Sequence, residues 1–499
     1  MSGALLDLRT TRRALSEARG KQKLEVLLRA DALVRSLPAE ELYLALLDIG
    51  PDDAAEIVAM ATPEQFRHFI DMAAWPRSDE GPRRAEVLRW LRLAREGGKA
   101  GARFRTQLRT LDVELLALVL RGGMVVHELT EDNQPDPQEP ALAFYTPDRR
   151  FMLEFSSDYA GMRQLVEDIY TEDPGSAGRL IEAVRWELTT ELEDTARRWR
   201  DGRLRDVGVP DFEEAVSFYA RPKIKKNFFS SAAGDPPAAL VAPQRNLIEA
   251  ALERLSGEDL EEAEESLVYA ANAALVANHV PLDDADEVRD QLAEARATLA
   301  LGLELLSGGD PDRAARVLVD TPIREVFQTA MGEAYRLQTR ARKIAVAARM
   351  PQAQSATLLD APLDGVVDAL LGPRPFFHQP GQRRPRAFAS RADVAAAEGL
   401  LEEAEQELAL LAALRLSPAV LGPKAEEAGL GPAALKASDA IYALVESQLR
   451  NEPFSLKSAA EEPRRKSPGF AEKLDEVVRN ATGGSQNATA RRLREILAL

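Results

Sequence analysis

The residues best suited to chemistry lie in one short segment, "GPRPFFHQPGQRRPRAF", at positions 372–388. It holds four prolines, two glycines, three phenylalanines, one histidine and four arginines. Prolines restrict a loop, and arginines beside aromatic rings suit phosphate or carboxylate binding or base stacking. The composition therefore predicts that the segment contacts an acidic partner or a small anionic ligand. The candidate contact residues are Arg374, Phe376, Phe377, His378, Arg383, Arg384 and Arg386.

The same segment also has a purely structural interpretation. In that interpretation it is a loop that crosses between two helices, its phenylalanines fill the core, and its arginines pair with acidic helices. The sequence alone leaves both interpretations open.

Motifs for catalysis and cofactor binding are missing from the sequence. We find no phosphate-binding loop ending in Gly-Lys-Ser/Thr, no dinucleotide fingerprint after a strand and no nucleophile elbow. His127-Glu128 begins like a zinc-protease helix, but the second histidine is missing and the stretch reads as a strand. The chain has four histidines without ligand spacing and no cysteine. We therefore predict no catalytic residue, no cofactor and no assigned metal ligand.

The densest group of carboxylates runs from Glu258 to Glu265. Carboxylates alone can hold Mg²⁺ together with water. A run of charge on a helix is more often a solvated face, and we favour that interpretation here.

Two further segments mix basic and aromatic residues. "YARPKIKKNFFSS", at 219–231, reads as a linker that docks between domains. Arg197-Arg198-Trp199-Arg200 reads as a solvated helix face with Trp199 packed inward.

Composition indicates a soluble cytoplasmic chain. The absence of cysteine fits a reducing compartment. The first residues lack the order of a secretory signal, and no apolar stretch approaches the ~20 residues that span a bilayer. A net charge of −17 argues against general nucleic-acid binding.

Short helices dominate the first part of the sequence. Pro38, Pro51 and Pro63 lie 13 and 12 residues apart, and proline suits a first helical turn. Thr62-Pro63-Glu64-Gln65 fits a capping box. Helices this short are marginal in water, so they must stack on one another.

A small antiparallel sheet is predicted within residues 122–156. Its strands are Met124–Leu129, Leu142–Phe144 and Phe151–Phe155. Residues Thr146 to Arg150 form the turn that joins the second strand to the third. Beyond it, apolar steps of three and four residues predict amphipathic helices. The stripes are Ile323, Phe327, Ala330, Ala334, Leu337, Ala341 and Ile344, and then Val394, Ala397, Leu401, Ala404, Leu408 and Leu411.

The predicted fold is mainly α. A superhelical region of short helices with the small sheet is followed by a helical bundle or irregular solenoid. We divide the chain into a helical-repeat domain at 1–221, a linker at 222–243, a helical domain at 244–450 and a tail at 451–499. We predict that the tail is flexible, including the stretch Gly483-Gly484-Ser485-Gln486-Asn487, and that it ends in a short basic amphipathic helix.

Two parts of the sequence resemble known protein families. The repeated proline, acidic residue and apolar helix across 37–75 resembles the cytosolic amino-terminal domain of MgtE-type magnesium channels, which implies a helical shape. We see neither that family's nucleotide-type domain nor its membrane part, so no metal site is carried over. The order of "LDVELLALVLRGGMVVHEL", "EESLVYAANAALVANHV" and "PIREVFQTAMGEAYRLQTRARKI" resembles an uncharacterised bacterial family of unknown function, which implies no activity.

Three functional hypotheses follow. The first is a cytoplasmic interaction, scaffold or adaptor protein that offers helical grooves to a partner protein. The second is an enzyme of unfamiliar type, with an interdomain pocket lined by Arg374, His378, Arg383 and Arg384. The third is a divalent-cation sensor.

Overall fold

A computed structural model describes most of the chain. The described residues are 20–75, 81–97, 101–131, 135–137, 140–156, 159–221, 247–282, 284–350, 357–431, 434–461, 466–482 and 488–497. The predicted linker at 222–243 and the Gly483–Asn487 stretch lie outside these residues.

The chain divides into two units, and the first comprises Met1–Val216 and Asn272–Leu292. Its elements are α1 (Lys21–Leu28), α2 (Asp31–Ser36), α3 (Ala39–Ile49), a 3₁₀ turn (Pro51–Ala54), α4 (Ala55–Met60), α5 (Pro63–Ala73), α6 (Arg84–Glu96), α7 (Gly101–Arg109), α8 (Val113–Arg121), β1 (Met124–Glu128), a 3₁₀ turn (Pro140–Leu142), β2 (Ala143–Tyr145), β3 (Phe151–Phe155), α9 (Tyr159–Glu172), α10 (Pro174–Trp186), α11 (Thr189–Asp206) and α12 (Phe212–Ser217).

The second unit comprises Ser217–Ala271 and Ala293–Leu499, and its limits fall inside α12 and inside two later helices, Glu258–Ala277 and Ala285–Ser307. The remaining elements are α13 (Leu247–Leu252), α14 (Glu258–Ala277), α15 (Ala285–Ser307), α16 (Pro311–Asp320), α17 (Ile323–Ala348), α18 (Leu363–Leu371), α19 (Arg391–Ala413), α20 (Pro418–Glu427), α21 (Ala437–Leu449), α22 (Lys457–Ala460), α23 (Phe470–Thr482) and α24 (Ala488–Ile496). The predicted mainly helical fold with a small antiparallel sheet is confirmed.

The predicted capping box starts α5. The Gln65 amide donates to Thr62 Oγ1 at 3.2 Å, and the Thr62 amide donates to Gln65 Oε1 at 2.8 Å. Pro63 occupies the first helical turn, where its missing N–H removes no hydrogen bond.

Buried glutamines then connect short helices of the first unit. The Gln65 side-chain NH₂ donates to the carbonyls of Val34 and Leu37, each at 2.8 Å. Gln107 repeats the arrangement at the end of α4, with bonds of 3.1 and 3.0 Å to the carbonyls of Val58 and Ala61. Both amides bond to carbonyls at the end of a helix, where backbone acceptors outnumber the helix's own donors.

The three strands form an antiparallel sheet in the order β1–β3–β2. Met124 pairs with Phe155 at one end of the first ladder, and Tyr145 pairs with Met152 in the second. In the turn before β3, the Thr146 amide donates to the Phe151 carbonyl and the Arg149 amide donates to the Thr146 carbonyl. Arg149 has a φ of 60°. Phe151, Leu153 and Phe155 are buried, so the sheet packs its central strand against helices.

A charged clamp fixes α11 in the first unit. Arg203 donates to both carboxylate oxygens of Asp71 at 2.8 and 2.9 Å, and to both of Asp112 at 3.0 and 2.7 Å. Asp71 lies on α5 and is 1% exposed, and Asp112 precedes α8. One guanidinium therefore holds three helices that are far apart in sequence.

The prediction that Trp199 packs inward is wrong. Trp199 is 56% exposed, and its neighbour Arg200 is the buried residue at 8%. Arg200 follows Leu192 and Ala196 along the buried row of α11, donates to the Asp71 carbonyl at 2.9 Å and covers the Trp75 ring. Arginine can occupy an inward position when its guanidinium meets an acceptor and an aromatic face.

His68 is the buried histidine of this region. It is 6% exposed, and its Nε2 lies 3.9 Å from Glu40 Oε1 without a hydrogen-bond partner in the described part of the chain. Burial lowers the pKa of His68 below its ordinary value of 6.5, although the carboxylates of Glu40 and Asp71 oppose that shift.

Long amphipathic helices build the core of the second unit. Every residue of the predicted stripe on α17 is buried, and the stripe on α19 is buried except for the partly exposed Leu408. Among the residues described after Asn451, three helices are present (α22, α23 and α24); Phe470 and Leu474 of α23 and Leu493 of α24 are buried.

Across the described ranges, no individual helix has the length and apolar content of a membrane crossing. Helices α19 and α20 meet that criterion only as a pair bent by 70°. Leu401, Leu411 and Leu421 of this pair are buried within the protein.

We predict that Arg203→Leu lowers the free energy of unfolding by about 3–5 kcal/mol, because it leaves two carboxylates without their cation. Arg205→Leu on the same helix is the matched control. Arg205 pairs with Asp211 at the surface at 3.4 Å, and such pairs contribute under about 1 kcal/mol. Chemical denaturation compares the midpoints, and equal shifts for the two variants would contradict the clamp.

We also predict that His68 makes stability fall as the pH is lowered from 7 to 5.5. Its folded-state pKa lies below the unfolded value, so the unfolded chain binds the proton more readily in this window and stability rises with pH. His68→Leu should flatten the dependence of the denaturation midpoint on pH. An unchanged slope in that variant would show that His68 is not responsible.

Candidate functional site

The 372–388 segment folds as a closed loop in the second unit. Phe377 and Arg386 exchange two backbone hydrogen bonds, of 2.7 and 2.9 Å, which form an isolated antiparallel bridge. Gln382 donates to the carbonyl of Gln379 at 3.0 Å, and Gly381 has a φ of 87°. Proline followed by glycine at a positive φ is the arrangement of a type II turn.

Two phenylalanines anchor the base of this loop in the core. Phe377 and Phe388 are 2% and 4% exposed, and their ring centroids are 5.4 Å apart. They belong to the apolar cluster that also contains residues of α17, α18 and α19. Phe377 and Phe388 therefore fill the core, as the structural interpretation of the segment predicts.

Arg386 is fixed by an ion pair. Its two terminal nitrogens donate to the two carboxylate oxygens of Asp393, each at 2.7 Å, and its guanidinium lies 5.1 Å from the centroid of the Phe377 ring. The Asp393 side chain also accepts the Ala389 amide at 2.8 Å. This bidentate pair raises the pKa of Arg386 and ties the loop to the first turn of α19.

The tip of the loop, residues 379–385, is exposed throughout. Arg383 and Arg384 lie at this tip. Within the described parts of the chain neither side chain has a hydrogen bond, an ion pair or a ring contact. These two arginines differ in this respect from Arg374 and Arg386 in the same segment.

Arg374 lies in a basic and aromatic cluster. Its guanidinium carbon is 3.7 Å from the centroid of the Tyr219 ring. The Tyr335 hydroxyl donates to the Tyr219 carbonyl at 2.8 Å, and the guanidinium of Arg221 lies 5.4 Å from the Tyr335 ring. Burial raises the pKa of Tyr335, against the opposing effect of the two arginines. The structure thus joins the 372–388 segment to the start of the 219–231 segment, whose residues after 221 are not described.

Phe376 and His378 have local partners. The Phe376 amide donates to the Ala369 carbonyl at 3.0 Å, and the His378 ring lies against Gly365 of α18, where an added Cβ would be 3.5 Å away. The predicted contact residues therefore have separate surroundings: core, ion pair, aromatic cluster, helix surface and free tip.

The acidic run on α14 is exposed apart from Ala263 and the half-buried Leu260. Across the residues placed by the structure, no three or more histidine and carboxylate side chains are grouped as a metal site would require.

Two residues of the site escaped sequence reasoning. Asp393 pairs with Arg386, and the pattern Ser390-x-x-Asp393 before an apolar stripe is a capping-box signature that marks this helix start. Tyr335 lies between the apolar positions of the α17 stripe, and periodicity gives no signal for a hydroxyl that bonds a carbonyl 116 residues away.

Fold and site together define a mainly helical protein with an anchored loop that presents arginines at its tip. Residues 2–480 match a family described as "Family of unknown function (DUF6178)", and the chain belongs to that family. The predicted membership of a family of unknown function is thereby confirmed. No curated protein and no solved structure matches the sequence significantly. The likeness of 37–75 to magnesium channels stays a resemblance of pattern.

We predict that Arg386→Ala loosens the base of the loop. Losing hydrogen bonds to a charged group costs about 1.5–3 kcal/mol. The backbone amides at positions 377 and 386 should therefore lose roughly 10- to 100-fold of their protection from hydrogen exchange. Arg384→Ala is the control, because that side chain has no partner in the described residues. Equal protection in both variants would show that the ion pair does not hold the loop.

Proposed function

We propose that this chain is a cytoplasmic interaction protein of scaffold or adaptor type, whose 372–388 loop binds an acidic segment of a partner protein. One observation carries the proposal. Arg383 and Arg384 stand side by side on an anchored loop, exposed and without an ion-pair partner among the described residues.

The chain around them is acidic overall, with 64 basic and 81 acidic side chains. Three other arginines of the second unit have carboxylate partners: Arg336 pairs with Glu398 at 2.5 Å, Arg340 with Glu405 at 2.7 Å, and Arg386 with Asp393. Two consecutive unpaired arginines on such a surface supply local positive charge. Local fields of this kind steer and select an oppositely charged partner.

The construction of the loop favours binding. The type II turn, the Phe377–Arg386 bridge and the buried phenylalanines hold the backbone at both ends of the tip. A loop fixed before binding loses less conformational entropy when a partner docks. The flexible arginine side chains then form bidentate bonds to carboxylates.

An acidic peptide fits this surface better than a nucleic acid does. Two arginines can match a short run of aspartate or glutamate. A nucleic acid would extend its phosphates over a chain of net charge −17, where they would be repelled.

The enzyme and cation-sensor hypotheses receive no support from the described contacts. The former needs Arg374, His378, Arg383 and Arg384 around one pocket, and the structure gives Arg374, His378 and the tip different neighbours. The latter needs converging carboxylates, and the described residues show no such group.

Charge reversal at the tip tests the proposal. We predict that Arg383→Glu/Arg384→Glu abolishes recovery of a protein partner when the tagged chain is purified from its native cell. Arg313→Glu/Arg316→Glu is the matched control, since both arginines are exposed on α16 of the same unit. Circular dichroism of both doubles checks that the fold persists.

The recovered partner should carry an acidic segment and should dissociate at high salt, because exposed charges are screened. A partner retained equally by the tip variant and the control would contradict the proposal. A small anion or metal recovered in place of a protein would contradict it as well.

A further inference from the structure

The C-terminal helix α24 occupies a groove between α19 and α23 of the second unit. Leu493 is fully buried and Leu497 is 7% exposed, and both belong to the core cluster that includes Leu474 and Val478. The opposite side of the helix faces solvent, with Arg491, Arg494 and Ile496 exposed. The helix therefore rests on the groove with one narrow face.

A charged contact fixes the register of α24 in the groove. The Arg492 guanidinium donates to Glu403 at 3.2 Å and to Glu407, both on α19. Glu407 is fully buried, and its other oxygen accepts the Asp360 amide at 3.1 Å. A buried carboxylate without a cation is strongly unfavourable, so the groove selects a basic residue at this position.

Surface contacts add little specificity. Arg494 pairs with Asp475 of α23, but its side chain is 53% exposed. The essential pattern in the occupant is an arginine, a leucine directly after it and a second leucine four residues further on, as in Arg492, Leu493 and Leu497.

The groove and its occupant differ in how they relate to the family. Asp360, Glu403 and Glu407 lie within the matched residues 2–480, and α24 begins at Ala488, beyond them. A basic helix outside the matched region thus neutralises a buried acid inside it.

We infer that this groove is a binding site for a basic amphipathic helix, and that α24 is its tethered resident ligand. The external ligand it fits is a partner helix with the pattern Arg-Leu-x-x-x-Leu. Helix-in-groove recognition uses such spaced anchors. A tethered ligand acts at a high effective concentration, so α24 excludes a free helix until it is released.

The experiment uses the full chain with a specific protease site inserted between Ser485 and Gln486. After cleavage, a fluorescent synthetic peptide of residues 486–499 is titrated and its anisotropy is followed. We expect saturable binding to the cleaved chain and none to the uncleaved chain at the same concentrations. The Arg492→Ala peptide should bind at least about 100-fold more weakly, as removal of one partner from a buried ion pair predicts. The Arg491→Ala peptide should bind as the unchanged peptide does.

Three results would overturn the inference. The first is loss of cooperative thermal unfolding on cleavage, which would make α24 an integral part of the core. The second is equal binding to cleaved and uncleaved chains, which would place the peptide elsewhere. The third is equal affinity of the Arg492→Ala and Arg491→Ala peptides.

Discussion

A charge taken out of water is costly unless an opposite charge meets it in the same place, and the internal organisation of both units depends on this constraint. In the first unit, Arg203 lies between Asp71 and Asp112 and so fixes where α11 packs. In the second, Glu407 is neutralised by Arg492, so the same rule decides where the last helix docks. In contrast, Arg383 and Arg384 at the 379–385 tip are exposed charges without an ion-pair partner among the described residues.

Short helices impose a second constraint that acts together with the first. Each helix end leaves backbone groups without partners, and a chain of short helices has many ends. Gln65 and Gln107 meet this need with the same contact, an amide that spans two carbonyls three residues apart. These two buried amides therefore connect short helices of the first unit.

Sequence reasoning succeeded where the controlling interactions are local. Thr62 and Gln65 are three residues apart, and periodicity needs only a helix's own residues, so the capping box, the strands and the apolar stripes were predictable. The clamp joins Asp71 to a residue 132 positions away, and no local pattern encodes that pairing. The same limit explains the wrong prediction for Trp199. Helical periodicity alone places a large apolar side chain inward, but the carbonyl of Asp71, far away in sequence, stabilises the buried guanidinium of Arg200 instead. For the candidate site, composition pointed to the loop but did not separate its arginines: Arg386 pairs with Asp393 seven positions away, and Arg374 meets the Tyr219 ring far away in sequence.

We propose that the arginine tip at residues 379–385 is the surface that another protein contacts. The most direct test of this proposal places a photoreactive amino acid at Gln382, beside the two arginines, in the full chain expressed in its native cell. We expect one discrete cross-linked protein with an acidic segment, formed from position 382 and not from a matched position at Arg316. A pattern of cross-links that is the same at both positions, or none at the tip when the chain is intact and folded, would contradict it.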